Sequence, residues 1–457
     1  MPEEQSANAG QLERSLSFRD VFFIAVGQII GAGVVALTGV AIGMTGPGVI
    51  LAYLGSAVLV LIVTALIMMA GTTVPAIGAY YAWTSRMRGG WVGSLVLALT
   101  LLASVSLSLY GSSFGLYLEP LFPVLSQNGW GIVVVSLLFI TNLFGLSMAS
   151  RLQMVLVGLL VSALALYAGF AAPGIEMARL SPMFPAGVAG FVTAIFLLKF
   201  ATSGAYMIVG LSGEMHDPRR TIPVVMTTAT VAVAVLYSLV ALASVGTLPW
   251  QEMIDQPLTV AGRQFMPSWA LNYFLIFGAG LAIVTTLNSQ FIQLPRTFML
   301  AAWDGLLPAR VGRLNRYGAP HVILSVMFLV GVVPLLADMN IADIARAASI
   351  SANLPAFFVY WAVMKIPQQF PERYEASVFR MKPVYLWVLY WFSQLSTALG
   401  VYYLARDLDP LVIWVVLGWI TISLLYYPMR KTYLARRGQD LERAVTDPAV
   451  LVGDDNH

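Results

Sequence analysis

The sequence predicts an all-α integral membrane protein with about 12 transmembrane helices. Three observations predict it. First, 59% of the 457 residues are hydrophobic and only 10% are charged, with a mean hydropathy of +0.80. A soluble chain is nearer a quarter charged, and so few charges cannot clothe a water-facing surface. Second, the apolar residues fall into runs of roughly 20, the length that crosses a bilayer as a helix. Third, Lys and Arg alternate between the connecting segments as a membrane topology requires.

The candidate spans are residues 21–44, 47–70, 91–117, 130–148, 152–172, 186–213, 223–247, 270–302, 322–337, 341–364, 384–405 and 410–428. An even number puts both termini on one side. With the termini inside, the inner segments hold Arg86, Arg88, Arg151, Arg219, Arg220 and the basic residues of 310–316, 365–382 and 430–443. The outer loops hold Arg179, Arg263 and Arg406. The positive-inside rule then gives a multi-pass protein of the plasma (inner) membrane with both termini cytoplasmic. The first residues, Met1 to Leu16, are polar and acidic and lack a signal peptide's basic start and short apolar core. They read as a cytoplasmic tail.

Composition also excludes functions. The chain has no cysteine, so disulfides, thiolate nucleophiles and thiolate metal sites are out. Three histidines, His216, His321 and His457, are scattered, and no metal is expected. A net charge of +3 fits basic inner loops, with no nucleic-acid partner. The phosphate-binding pattern G-x-x-x-x-G-K-[ST] does not occur, which argues against ATP-driven pumping. The 20 Met and 12% aromatic residues need no cofactor, since apolar packing and interfacial aromatic belts account for them.

The first span carries Gly27-Gln28-Ile29-Ile30-Gly31-Ala32-Gly33. Each of its three glycines weakens a helix interior by about 1 kcal/mol relative to alanine. Close packing between membrane helices also uses small residues. The sixth span has a matching interruption, Phe200-Ala201-Thr202-Ser203-Gly204. Paired interruptions in corresponding positions of two halves point to a carrier's midplane site. An unwound stretch frees backbone N–H groups suited to a carboxylate and C=O groups suited to an ammonium. An α-amino acid presents both, so backbone alone can hold its invariant part.

At this point the residues resemble the amino acid–polyamine–organocation (APC) superfamily permeases. Gly27 to Gly33 is similar to the G-x-I-I-G-x-G signature of their first helix. Pro75-Ala76-Ile77-Gly78-Ala79-Tyr80-Tyr81 is similar to the P-x-x-G-x-Y segment after the second. The run from Glu214 through Pro218, Arg220 and Ile222-Pro223 is similar to the segment after the sixth. Arg296 through Asp304-Gly305-Leu306-Leu307-Pro308 resembles the eighth helix and its loop.

The resemblance implies a LeuT-type fold: a 5+5 inverted repeat plus two peripheral helices, with helices 1 and 6 broken mid-membrane. The corresponding segments are a tail at 1–18, a first five-helix repeat at 19–175, a second at 176–365, helices 11 and 12 at 366–429 and a cytoplasmic tail at 430–457. The resemblance also implies amino acid transport by alternating access, not catalysis. The substrate carboxylate would meet backbone N–H groups near Gly31, Ala32 and Gly33. The amino group would meet carbonyls near Ile29, Phe200 and Ser203, with Ile30, Ala201, Thr202 and Gly204 completing the two segments. Phe200 falls where related transporters place an aromatic over the substrate.

Departures from the family pattern narrow the substrate. The fifth span has no Lys or Arg after Arg151, and Leu160 aligns where many relatives carry a lysine. Acid-resistance exchangers have a glutamate where this chain has Tyr206. Neither interruption holds Asp or Glu, which disfavours a strongly cationic substrate. A neutral or weakly charged amino acid or close amine derivative is expected, moved by proton-coupled symport or by exchange. Sodium coupling is the weaker option, resting on Asn288-Ser289-Gln290 in the eighth span. The rival class is an amino-acid-binding sensor or channel without active transport.

Lys199 lies deep in an apolar run. It could bind an anionic group, titrate and couple protons, or snorkel to the interface. Tyr206 and Gln290 are further gating or coupling candidates. Arg296 is expected in a structural ion pair with Asp304 or a loop acid, and Asp343 with Arg346 in a local one.

Overall fold

The computed structural model describes residues 14–119, 122–337, 339, 353–406, 410–447 and 451. Its elements are helices, and among the described residues no strand forms. Two isolated bridges, Leu16 with Met215 and Ile77 with Leu211, are the extent of extended pairing there.

The principal helices are α1 (Phe18–Ile29), α2 (Ala32–Thr45), α3 (Val49–Thr73), α4 (Ala79–Arg88), α5 (Gly90–Ala103), α6 (Ser106–Leu118), α7 (Gln127–Leu143) and α8 (Leu146–Ala171). After them come α9 (Gly187–Thr202), α10 (Pro218–Thr247), α11 (Leu281–Trp303), α12 (His321–Leu336), α13 (Pro383–Arg406), α14 (Pro410–Ala435) and α15 (Leu441–Thr446). Residues 353–363 are also helical.

Seven helical runs among these residues are long and apolar enough to cross a membrane, and α7 and α12 are shorter apolar helices. The outward faces are correspondingly greasy. Trp387, Trp391, Leu395 and Tyr402 of α13 are all exposed, a surface that water would penalise and hydrocarbon does not. The molecule is thus a multi-pass helical membrane protein.

Local chemistry starts and stops the helices. Ser17 caps α1 in a capping box with Asp20, which satisfies two orphan donors at once. Asp217 caps α10 by accepting from the Arg220 N–H, and Pro218 follows it at the first helical position, where a missing N–H costs nothing. Glycines Gly89 and Gly145 separate α4 from α5 and α7 from α8.

The structure refines several expected boundaries. The expected span 130–148 divides at Gly145, so its last residues open α8. The expected span 91–117 pauses between Ala103 and Ser106. α4 lies between expected spans and was not anticipated as a helix; its mixed Tyr, Ser, Thr and Arg composition hid it. Residues 341–352 of the expected tenth span, with Asp343, Arg346, Ser349 and Ser351, lie outside the described residues.

α1 occupies the centre, packed by α8, α10 and α11. α9 lies against α2 and α3, α10 against α3, and α12 against α6 and α7. The core is contiguous across these helices.

Candidate functional site

The helical path pauses at both glycine-rich segments. α1 ends at Ile29. The Ile30 N–H still reaches the Val26 carbonyl at 2.8 Å, but the Gly31 N–H turns back to the Ile29 carbonyl at 2.9 Å. Gly31 is extended (φ −114°, ψ −158°), and α2 resumes at Ala32 without a side-chain cap. The first-turn N–H groups of α2 are therefore available to a ligand. α9 ends at Thr202, Ser203 is extended (φ −87°, ψ 153°), and a 3₁₀ turn follows over Ala205–Gly210.

The two pauses touch. A Cβ placed on Gly33 would lie 2.8 Å from the Ala201 Cβ. Gly204 has φ +143°, and a Cβ there would lie 2.8 Å from the Gln28 carbonyl oxygen. Only glycine meets both demands.

The expected side chains divide between inside and outside. Ile29, Ile30, Gly33, Ala201, Thr202 and Gly204 are buried, and Gly31 and Ser203 are partly exposed. The Thr202 hydroxyl lies 3.1 Å from Ser56 Oγ on α3 and 3.1 Å from the Leu198 carbonyl of its own helix, so it braces α9 against α3. Phe200 is 66% exposed. It continues the stripe Val188, Val192 and Phe196 on the outer face of α9.

Lys199 Nζ donates to Ser396 Oγ of α13 at 2.5 Å. Tyr206 stacks on Tyr80 (6.4 Å between centroids, 10° between planes). Gln290 Oε1 accepts from Ser106 of α6 at 2.9 Å. These three coupling candidates thus engage three different elements and are not gathered at one point.

The polar face of α11 toward α1 includes Ser289, whose hydroxyl donates to the Ile24 carbonyl at 3.2 Å, and extends a turn earlier. The Thr285 hydroxyl lies 3.3 Å from the Ile30 carbonyl and 3.0 Å from that of Ala282. The Thr286 hydroxyl lies 3.2 Å from the Gly27 carbonyl, 3.4 Å from that of Ile30 and 3.2 Å from that of Ala282. Sequence reasoning missed this pair. Its signal was two adjacent hydroxyls in an otherwise apolar run, Ala282-Ile283-Val284-Thr285-Thr286-Leu287.

Behind them runs a neutral relay. Gln153 Nε2 of α8 donates to the Thr285 carbonyl (3.1 Å) and Ser289 Oγ (2.9 Å). Asn288 donates to Gln153 Oε1 at 2.8 Å and accepts from Asn142 at 2.9 Å. The fifth-span residues nearest Gly27 are Gln153 and Val157, about two turns and one turn before Leu160, which is itself fully buried. Two further amides stand out. Gln28 Oε1 and both polar atoms of Gln293 are buried with no protein partner among the described residues, the kind of group that water commonly satisfies.

Two buried ion pairs lie toward the end of α11. Asp304 takes both Arg86 guanidinium nitrogens at 2.6 and 2.7 Å, with both side chains essentially solvent-free. Arg296 binds Glu214 at 2.9 and 3.0 Å. The partner of Arg296 is therefore the loop acid after α9, while Asp304 belongs to Arg86 of α4, which was not foreseen. Gly78 (φ +57°) brings the start of α4 onto the α11 backbone at Arg296 and Thr297.

Adjoining helix pauses inside a multi-pass helical membrane protein define the class: a membrane protein with a backbone-lined centre. The Amino acid permease family model matches residues 20–426. The chain belongs to that family, one of membrane transporters within the APC superfamily. It is 23% identical over 389 residues to the amino-acid permease RocE of Bacillus subtilis, covering 79% of this chain and 81% of that one. It is 24% identical over 344 residues to the branched-chain amino acid permease BcaP of the same organism, covering 69% and 74%. With the vacuolar cationic amino acid transporter 4 of Arabidopsis thaliana it shares 27% over 377 residues, 76% of this chain and 62% of that one.

Proposed function

We propose that this chain is a secondary carrier of neutral or weakly charged amino acids, or close amine derivatives, working by alternating access. The observation that carries the reading is the contact between the two helix pauses, Gly33 on Ala201 and Gly204 on Gln28. In this reading they are the broken first and sixth of twelve spans, near the membrane midplane. Residues 19–175 and 176–365 form the inverted repeats, and 366–429 the peripheral pair. The uncapped start of α2 receives the substrate carboxylate at Gly31, Ala32 and Gly33. The carbonyls at Ile29, Ile30, Phe200 and Ser203 receive the ammonium.

The chemistry follows from the medium. With water excluded, a peptide group freed by a pause costs several kcal/mol unless paired. A zwitterion supplies the missing partners, so binding and ordering of the pauses reinforce each other. Neither pause contains Asp or Glu, which favours a neutral side chain over a cationic one. The basic inner loops support both termini in the cytoplasm and residence in the plasma (inner) membrane. Exchange of one amino acid for another needs no coupling ion, whereas proton symport requires a titrating group that moves with the gate.

The test is reconstitution of the purified protein in liposomes. Radiolabelled amino acids are offered singly, with and without internal substrate and a pH gradient. Counterflow dependent on internal amino acid identifies exchange, and accumulation driven by the gradient identifies symport. Binding without accumulation would make the protein a sensor, and the carrier reading would be discarded.

A further inference from the structure

We infer that α15 and the C-terminal end of α14 form a releasable bracket on the Arg86–Asp304 clasp, and that this segment thereby sets how fast the carrier turns over. The rate-setting role rests on the carrier reading; the bracket itself rests on geometry alone.

Both arms of the clasp run directly into backbone that the C-terminal helices hold. Asp304 is followed by Gly305 and Leu306. Arg430 Nε donates to the Gly305 carbonyl at 3.0 Å, and Tyr426 Oη donates to that of Leu306 at 2.8 Å. These two side chains stand four residues apart on α14, so they share one face of it. Arg86 lies four residues before Gly90, where α5 begins. The Gly90 N–H donates to the Glu442 carboxylate of α15, which also accepts from Tyr427 and Lys431 of α14. A Cβ on Gly90 would press on Tyr427 Oη and lie 2.5 Å from Val445 Cγ2. Glycine there is what lets α15 come down on the junction of α4 and α5.

The last turn of α4 is a knot of three ties. Arg86 holds the end of α11, Arg88 donates to the Trp361 carbonyl at 3.0 Å, and the next residues meet α15. With α15 docked, Arg86 and Asp304 can part only if Gly90 and Gly305 move too, and both are held. In the carrier reading this is the cytoplasmic end, and opening it separates α4 from the end of α11.

The bracket is built to come off. Six residues are too few to sustain a helix alone, so α15 is ordered by docking. Its seat consists of two buried apolar side chains, Leu441 and Val445, and the one carboxylate. Beyond it, Arg373 donates to the Leu451 carbonyl at 3.4 Å. The connection from α14, residues 435–440, is exposed throughout and turns at Gly438 (φ +73°). An element attached this way opens before the bundle does.

The test uses the full-length protein and three point variants. Val445→Asp puts a charge into the apolar seat, Tyr427→Phe removes one donor to Glu442 and keeps the ring, and Val445→Ile keeps the seat apolar. In detergent, Val445→Asp should lose hydrogen-exchange protection over residues 441–446 and also over 84–88, with α1 and α10 unchanged. Tyr427→Phe should show the same pattern to a lesser degree. In liposomes both should raise the maximal uptake rate several-fold for the radiolabelled amino acid that the wild type takes up best. Its Kd in detergent should stay at the wild-type value, and Val445→Ile should match the wild type throughout. Protection lost at 441–446 but intact at 84–88 would overturn the bracket, as would full protection at 441–446 in Val445→Asp. A wild-type maximal rate with α15 released would overturn the rate-setting role. Where Val445→Asp does not fold, Tyr427→Phe decides on the same readouts. If the wild type itself takes up no amino acid, the carrier reading fails, and protection at 84–88 alone decides the bracket.

Discussion

Gly204 illustrates how much a single residue can be asked to do. Its φ of +143° and the Gln28 carbonyl beneath it leave no room for a side chain. Gly204→Ala should cost about 1–3 kcal/mol in backbone strain and reduce amino acid uptake more than it reduces folded protein, as read by transport per unit of monodisperse carrier. Lys199 is the converse. Its ammonium is held by Ser396 on α13, outside both pauses' own helices. Lys199→Leu is expected to keep both uptake and its pH profile; a flattened pH profile would restore the coupling role. These residues were legible to different degrees. The glycines of the first and sixth spans announce themselves, because a helix interior seldom tolerates several. Thr285 and Thr286 did not, because hydroxyls in membrane helices commonly bond their own backbone. Only the fold shows that these two also face another helix's released carbonyls.

At the scale of elements, α11 gathers the polar contacts. It meets α1 through its threonines, α8 through Gln153, α4 through Asp304 beyond its end, and the segment after α9 through Arg296. The Arg86–Asp304 pair is fully enclosed, and removing one partner strands a buried charge. Asp304→Asn should therefore destabilise the protein by about 3–5 kcal/mol. Joint replacement by apolar residues, Arg86→Met with Asp304→Leu, should recover most of that, because the pair's own desolvation is then no longer needed. A double-mutant cycle on thermal or denaturant unfolding measures it; equal losses in the single and joint variants would contradict it. The sequence suggested that Arg296 was paired but left its acid open between Asp304 and a loop residue. Glu214 stands 82 positions away, and linear spacing has no means of ranking two acids across such a gap.

For the whole molecule, composition and basic-residue asymmetry were enough to make it a membrane-crossing helical bundle, since both follow from the solvent rather than from packing. The C-terminal segment was less legible. It read as a polar tail, yet α15 folds back, burying Leu441 and Val445 under an Asp440 cap. Glu442 accepts from Tyr427 Oη (2.5 Å), Lys431 Nζ (2.8 Å) and the Gly90 N–H (3.4 Å). Burial works against its charge, but those partners outweigh it and hold the Glu442 carboxyl below its ordinary range. A lowered pKa means that the docking energy is present above the ordinary carboxylate pKa and is lost as pH falls through the folded value. Protection against hydrogen exchange over residues 441–446, corrected for the intrinsic rate at each pH, should fall on acidification from neutrality through the ordinary carboxylate range. Glu442→Gln should remove that acid sensitivity, and protection equally pH-dependent in the variant would contradict the assignment.

The continuity of α11 has a mechanical consequence. Its 23 residues make a strut about 35 Å long, with the threonine pair near one end and both charge clasps toward the other. Pro295 lies between the two, and a proline inside a helix removes one backbone hydrogen bond and favours a kink there, so a displacement at Thr285 reaches Asp304 only as far as that joint stays straight. Because the chain is naturally free of cysteine, two thiols introduced at opposite ends of that rod would be the sole labels, ready to report whether both ends swing together.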